Sequence, residues 1–148
     1  MNPFDLKSAL LARHAQHVVL IHFPIALFLV SVAFDCAAQW WRKAAFASAA
    51  YYNLTVAAVS SVPVVATGLM AWHWQLEGQK LKGTLLLHLV LGLASAVLIW
   101  LVWWVHFRGR KPERTLPAYR LPLEIVAAAV VVLTAHLGGF LSGVNAGV

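Results

Sequence analysis

Residues 17–41 read HVVLIHFPIALFLVSVAFDCAAQWW. The run is apolar apart from His17, His22, Ser31, Asp35 and Gln39. It exceeds the roughly 20 residues that a helix needs to cross a hydrocarbon core about 30 Å thick. An open chain crosses that core only as helix, because lipid offers no partner for backbone N–H and C=O groups. Three further stretches of the same kind follow, at about Phe46 to Trp74, Thr84 to Phe107 and Leu121 to Gly143. The connections between them are short, so consecutive helices lie side by side and antiparallel. The expected fold is therefore all-α, a transmembrane four-helix bundle formed by one domain over residues 1–148, with no internal repeat.

Composition supports this reading. Of the 148 residues, 61% are hydrophobic and 11% charged, and the mean hydropathy is +0.78. A soluble domain carries about 25% charged residues, so a soluble enzyme, a disordered chain and a disulfide scaffold are excluded. The lone cysteine, Cys36, permits no internal disulfide and no thiolate cluster. Met1 to Gln16 reads as a short interfacial helix, with Asp5 as its cap and Leu6, Leu10 and Leu11 on its apolar face. It is no secretory signal, because the apolar run behind it is too long and ends in Arg42-Lys43.

The net charge of +6 reads as topology. Arg42, Lys43, Arg108, Arg110, Lys111, Arg114 and Arg120 flank one end of the spans; Lys7, Arg13, Lys80 and Lys82 flank the other. The positive-inside rule puts the Arg-rich end in the cytoplasm and both termini on the outer, periplasmic side of a bacterial inner membrane. Tryptophans mark both boundaries, Trp72 and Trp74 outside and Trp40, Trp41, Trp103 and Trp104 inside, as an aromatic belt does.

Seven histidines against five carboxylates is the unusual feature. His14, His17, His22, His73, His88 and His136 fall in the outer half, and His106 reads as an interface residue. At about 1.5 Å per residue, His22, His88 and His136 come to similar depth on three helices. Ionisable side chains within a membrane usually face the bundle interior. A bridging hydrogen bond between helices is the bland reading of each. Together they form a candidate haem site, because neutral imidazole ligates haem iron. Small residues continue the same stripes: Ala26 and Ala33 after His22, Gly92, Ser95 and Ala96 after His88, and Gly138 and Gly139 after His136. They leave room for a flat macrocycle or for close helix packing. His22 and His88 are the preferred axial pair for haem b, with His17 and His136 next and able to hold a second haem. Arg13, Lys80 and Lys82 are the basic residues available to propionates. Zinc and copper are alternatives, although Cys36 lies far from the histidines and the methionines are only Met1 and Met70.

Pro24 removes a backbone donor near Leu20 and is expected to bend the start of span one; Pro63 is expected to bend span two. Asp35 and Glu124 lie within spans near the Arg-rich end, where they read as ion-pair partners of Arg42, Lys43 or Arg120. The sharper reading is a proton entry point for quinone chemistry. No Ser-His-Asp, phosphate-loop or paired-carboxylate pattern appears.

The opening His17-x4-His22-Phe23-Pro24-Ile25-Ala26-Leu27 resembles the DUF2231 family of predicted bacterial four-helix membrane proteins. The resemblance extends through Asp35, Thr67-Gly68, His88, His136-Leu-Gly138-Gly139 and Gly147-Val148. It implies that His17, His22 and His88 share one site, without saying what binds there. The expected function is that of a b-type cytochrome-like protein near the outer face, working with quinone and with a cytochrome or other redox subunit, within a complex or homo-oligomer. A non-catalytic subunit of a larger redox complex is the alternative.

Overall fold

A computed structural model describes residues 13–75, 80–110 and 117–142. Every regular element among them is helical: α1 (Arg13–Leu20), α2 (His22–Trp41), α3 (Ala44–Gln75), α4 (Gly83–Gly109) and α5 (Arg120–Leu141). Four segments are long and apolar enough to cross a membrane: Gln16–Trp41, Ala44–His73, Gly83–Gly109 and Arg120–Leu141.

The expected separate interfacial helix is corrected in part. From Arg13 onward the chain is already the first turns of span one; residues 1–12, with Asp5 and its neighbours, lie outside the described residues. Pro24 cannot donate to the Leu20 carbonyl, and regular helix lapses only at Ile21. The bonds Ile21 N–H to His17 O (3.0 Å) and Ile25 N–H to Ile21 O (3.4 Å) carry the ladder past the break.

Span one turns tightly into span two. Arg42 takes the left-handed conformation (φ 51, ψ 34) that ends α2, and α3 starts two residues later. Phe46 stacks on Phe34 at 6.0 Å and tilts against Trp41 at 5.6 Å, which closes the hairpin. Around the bundle α2 neighbours α3, α3 neighbours α4, α4 neighbours α5 and α5 returns to α2; α1 extends the α2 side along α3.

The core joins all four spans: Phe28, Leu54, Ala57, Ala58, Ile99, Val102, Ala127 and Val131. Phe28 and Ala57 are fully covered, whereas Val97 is 66% exposed, the division expected of a thin bundle with a lipid-facing shell.

The buried positions recur, although no repeat is apparent in the residue types. On α2 they are Pro24, Phe28, Ser31 and Asp35. On α4 they are Ser95, Ile99, Val102 and His106, each 71 positions further on. On α5 they are Glu124, Ala127 and Val131. Their counterparts 70 positions earlier, Leu54, Ala57 and Ser61, are buried on α3. The first hairpin and the second thus present equivalent faces to one shared core.

Burial is also lopsided along the bundle. Apart from Pro24 and Ser61, these positions lie between the Arg-rich end and about the middle of each span. Beyond them, residues 16–23, 62–73, 83–94 and 132–142 include none that is fully buried. The bundle is sealed at its basic end and loosely packed at its histidine end.

Candidate functional site

The loosely packed half holds two matched histidines. The Nδ1 of His17 lies 3.1 Å from the carbonyl oxygen of Val64 and 3.2 Å from Oγ1 of Thr67. The Nδ1 of His88 lies 3.1 Å from the carbonyl oxygen of Thr134. A carbonyl only accepts, so Nδ1–H is the donor in both rings. In the neutral imidazole this leaves Nε2 as the lone-pair nitrogen. Donation of one ring N–H to a backbone carbonyl is how ligating histidines are usually oriented.

Each ring also lies against a glycine one turn beyond the accepting carbonyl. A Cβ on Gly68 would stand 2.9 Å from Cε1 of His17, and one on Gly138 would stand 3.1 Å from Cε1 of His88. The two arrangements obey the spacing of the core repeat: 71 positions from His17 to His88, and 70 from Val64 to Thr134 and from Gly68 to Gly138. Beneath His88, Thr134 Oγ1 donates to the Val130 carbonyl at 2.8 Å, so Ser95 Oγ is the donor in its 3.0 Å bond to Thr134.

The other expected ligands are placed differently. His22 and His136 are exposed. His136 packs edge-on against Phe140 at 5.0 Å and lines a shallow apolar groove with Ala128, Ala129, Val132 and Leu133. Lys80 is exposed, and the side chain of Arg13 lies outside the described residues. Among the described residues, no three of the outer-half histidines converge within reach of one ion. His17 and His88 thus have equivalent surroundings, which His22 does not share.

The sealed half holds a second polar group that the sequence reading set aside. His106 is buried, and its Nε2 is 2.6 Å from Oε1 of Glu124. Arg120 Nε bonds Asp35 Oδ2 at 2.8 Å, as expected of that pair, but Asp35 is 1% exposed and lies in the core, not at the interface. Donor atoms of Asp35, His106 and Glu124 all lie within 4.8 Å of one another. Oε2 of Glu124 is buried without a hydrogen-bond partner among the described residues. A signal for this cluster was present in the sequence. His17 to Asp35 and His88 to His106 are both 18 residues, five full turns at about 3.6 residues per turn, so each pair shares a helix face.

Comparison with known proteins adds the family and no more. A family model described as a predicted membrane protein (DUF2231) matches residues 13–146. No curated protein is detectably similar to the chain, and neither is any solved structure. A bundle of four membrane-spanning helices with this match over nearly its whole length belongs to the DUF2231 family of predicted membrane proteins.

Proposed function

We propose that the chain is a b-type cytochrome-like membrane protein. It holds haem in the histidine half of the bundle and passes electrons between quinone and a cytochrome or other redox subunit. The observation that carries this reading is the matched pair His17 and His88. Each ring has its tautomer set by a backbone carbonyl and a glycine beneath it. What supports the group is two imidazoles whose lone-pair nitrogen is Nε2, on opposite hairpins, in the half of the bundle without a sealed core. The middle of the bundle, filled by Phe28, Leu54, Ile99 and Val131, has no room for a macrocycle.

Haem supplies one-electron chemistry when bound, while the protein supplies orientation, burial and hydrogen bonding. The chain's own residues divide that work. Val64 and Thr134 fix the imidazoles, Gly68 and Gly138 let the rings lie close to α3 and α5, and Arg13, Lys80 and Lys82 are basic residues at that end of the sequence's spans. His22 and His136 are exposed and take no part in this site. The excess of basic residues at the other end supports an outer-side position for this half and both termini in a bacterial inner membrane.

The test is a reduced-minus-oxidised visible spectrum of protein expressed with haem supply and purified in detergent. The expected result is a Soret band that shifts on reduction, lost in His88→Ala and His17→Ala and kept in His22→Ala. A folded, iron-free wild type would overturn the reading and leave the histidines as helix bridges in a non-catalytic subunit.

A further inference from the structure

The cluster at the basic end is unused by the haem reading and stands apart from it. Four ionisable side chains meet there, and their charges do not balance as written. Asp35 and Arg120 neutralise one another through a 2.8 Å bond. That leaves Glu124 and His106, whose side chains are 2% and 5% exposed. An ionised Glu124 would place a carboxylate oxygen, Oε2, in the core without a donor among the described residues. Buried charge of that kind is among the costliest arrangements in a protein.

A proton on Oε1 resolves the arrangement. The 2.6 Å separation suits an O–H donor, here given to His106 Nε2, and Oε2 becomes an uncharged carbonyl oxygen. A carbonyl oxygen tolerates a missing partner better than an N–H does, and an uncharged one costs far less to bury than a carboxylate. A divalent cation among Asp35, His106 and Glu124 is the competing occupant. Arg120 already serves Asp35, so a dication would leave a net positive charge in the core, whereas a proton leaves none.

Among the described residues, nothing else nearby supplies the missing charge. Besides Asp35, α2 offers only the exposed Cys36 at this level, and besides His106, α4 offers only the exposed Arg108. On α3 no acid, base or histidine occurs between Ala44 and Met70. Leu54 occupies the position equivalent to Glu124, and Tyr51 lies under the guanidinium of Arg110, 4.2 Å from its ring centre.

We propose that Glu124 is a membrane-buried carboxylic acid holding one exchangeable proton, with His106 Nε2 as its acceptor. Transfer breaks the O–H bond at Oε1 and forms an N–H bond at Nε2, leaving carboxylate and imidazolium; no electron moves. Loss of that proton to water and uptake of another complete the exchange.

The test is infrared spectroscopy of the haem-free, chelator-treated full chain, labelled in turn with [13C]glutamate and [13C]aspartate. At neutral pH the expected spectrum has an un-ionised carboxyl band that moves in D2O. The band shifts with labelled glutamate, does not shift with labelled aspartate, and is absent from Glu124→Gln. Should that variant fail to accumulate, Glu77→Gln/Glu113→Gln, which removes the other two glutamates, keeps the labelled band. Glutamates that are all ionised at neutral pH overturn the proposal. So does a wild type that takes up one equivalent of Zn2+ with loss of the band, which assigns the cluster to a metal.

Discussion

Gly138→Ala places a methyl group 3.1 Å from Cε1 of His88, where ordinary contact begins near 3.4 Å. The ring must retreat by about 0.3 Å, and its 3.1 Å bond to the Thr134 carbonyl stretches to about 3.4 Å, past the usual range. Gly68→Ala is harsher: the gap is 2.9 Å, the retreat is about 0.5 Å, and the bond to Val64 is lost. Gly92→Ala on α4 is the control, because its Cβ would meet only Thr134 Cγ2 at 3.8 Å. Alanine gains roughly 1 kcal/mol of helix propensity over glycine. Against this stand about 1 kcal/mol for a weakened hydrogen bond and about 1–3 kcal/mol for overpacking. Gly92→Ala is therefore expected to stabilise by about 1 kcal/mol. Gly138→Ala is expected to destabilise by about 1 kcal/mol and Gly68→Ala by about 2 kcal/mol. In a His88→Ala background the clash is gone and Gly138→Ala becomes stabilising, so a double-mutant cycle shows a coupling of about 2 kcal/mol. Denaturation of the four detergent-purified variants measures it. Equal stabilisation by Gly92→Ala and Gly138→Ala, with no coupling to His88, would refute the seating of the ring on the glycine.

Further outcomes follow from packing and charge. Asp35→Asn strands the Arg120 guanidinium in a mostly buried site and should cost about 3 kcal/mol; Asp35→Asn/Arg120→Met should recover part of it, read by the same denaturation assay. Phe28→Ala empties the centre of the core and should destabilise by about 3 kcal/mol or more. Val97→Ala, on the lipid-facing side, should stay within about 0.5 kcal/mol. An alkaline phosphatase domain fused after Val148 should be active in cells, as that enzyme requires export; an inactive fusion with an intact membrane fraction would reverse the topology.

The four spans were readable because lipid imposes a length and an apolarity that any sequence must display. The expected limits at about 17–41, 46–74, 84–107 and 121–143 differ from the observed segments by three residues or fewer. The repeat was not readable, because outside the His17/His88 and Gly68/Gly138 pairs the equivalent core positions carry unlike residues: Asp35 answers His106, Leu54 answers Glu124, and Ser31 answers Val102. What they share is a direction toward the core, which residue type does not record. His106 was misjudged because Arg108 beside it marks the membrane boundary. Its burial depends on Glu124, brought against it by the packing of α5 on α4. The outer-half histidines were found by depth alone, so His22 was favoured for its position along the helix. The side to which it points is set by helix packing: His22 is exposed, whereas His17 is braced by Val64 and Thr67 as His88 is by Thr134.

The central claim is imidazole ligation by His17 and His88, and low-temperature electron paramagnetic resonance of the oxidised protein tests it most directly. The expected spectrum is a low-spin ferric haem signal of the bis-imidazole type, converted to high-spin or lost in both His88→Ala and His17→Ala and unchanged in His136→Ala. A haem signal that persists in His17→Ala and His88→Ala, or a folded wild type with no haem iron after expression with haem supply, would contradict it.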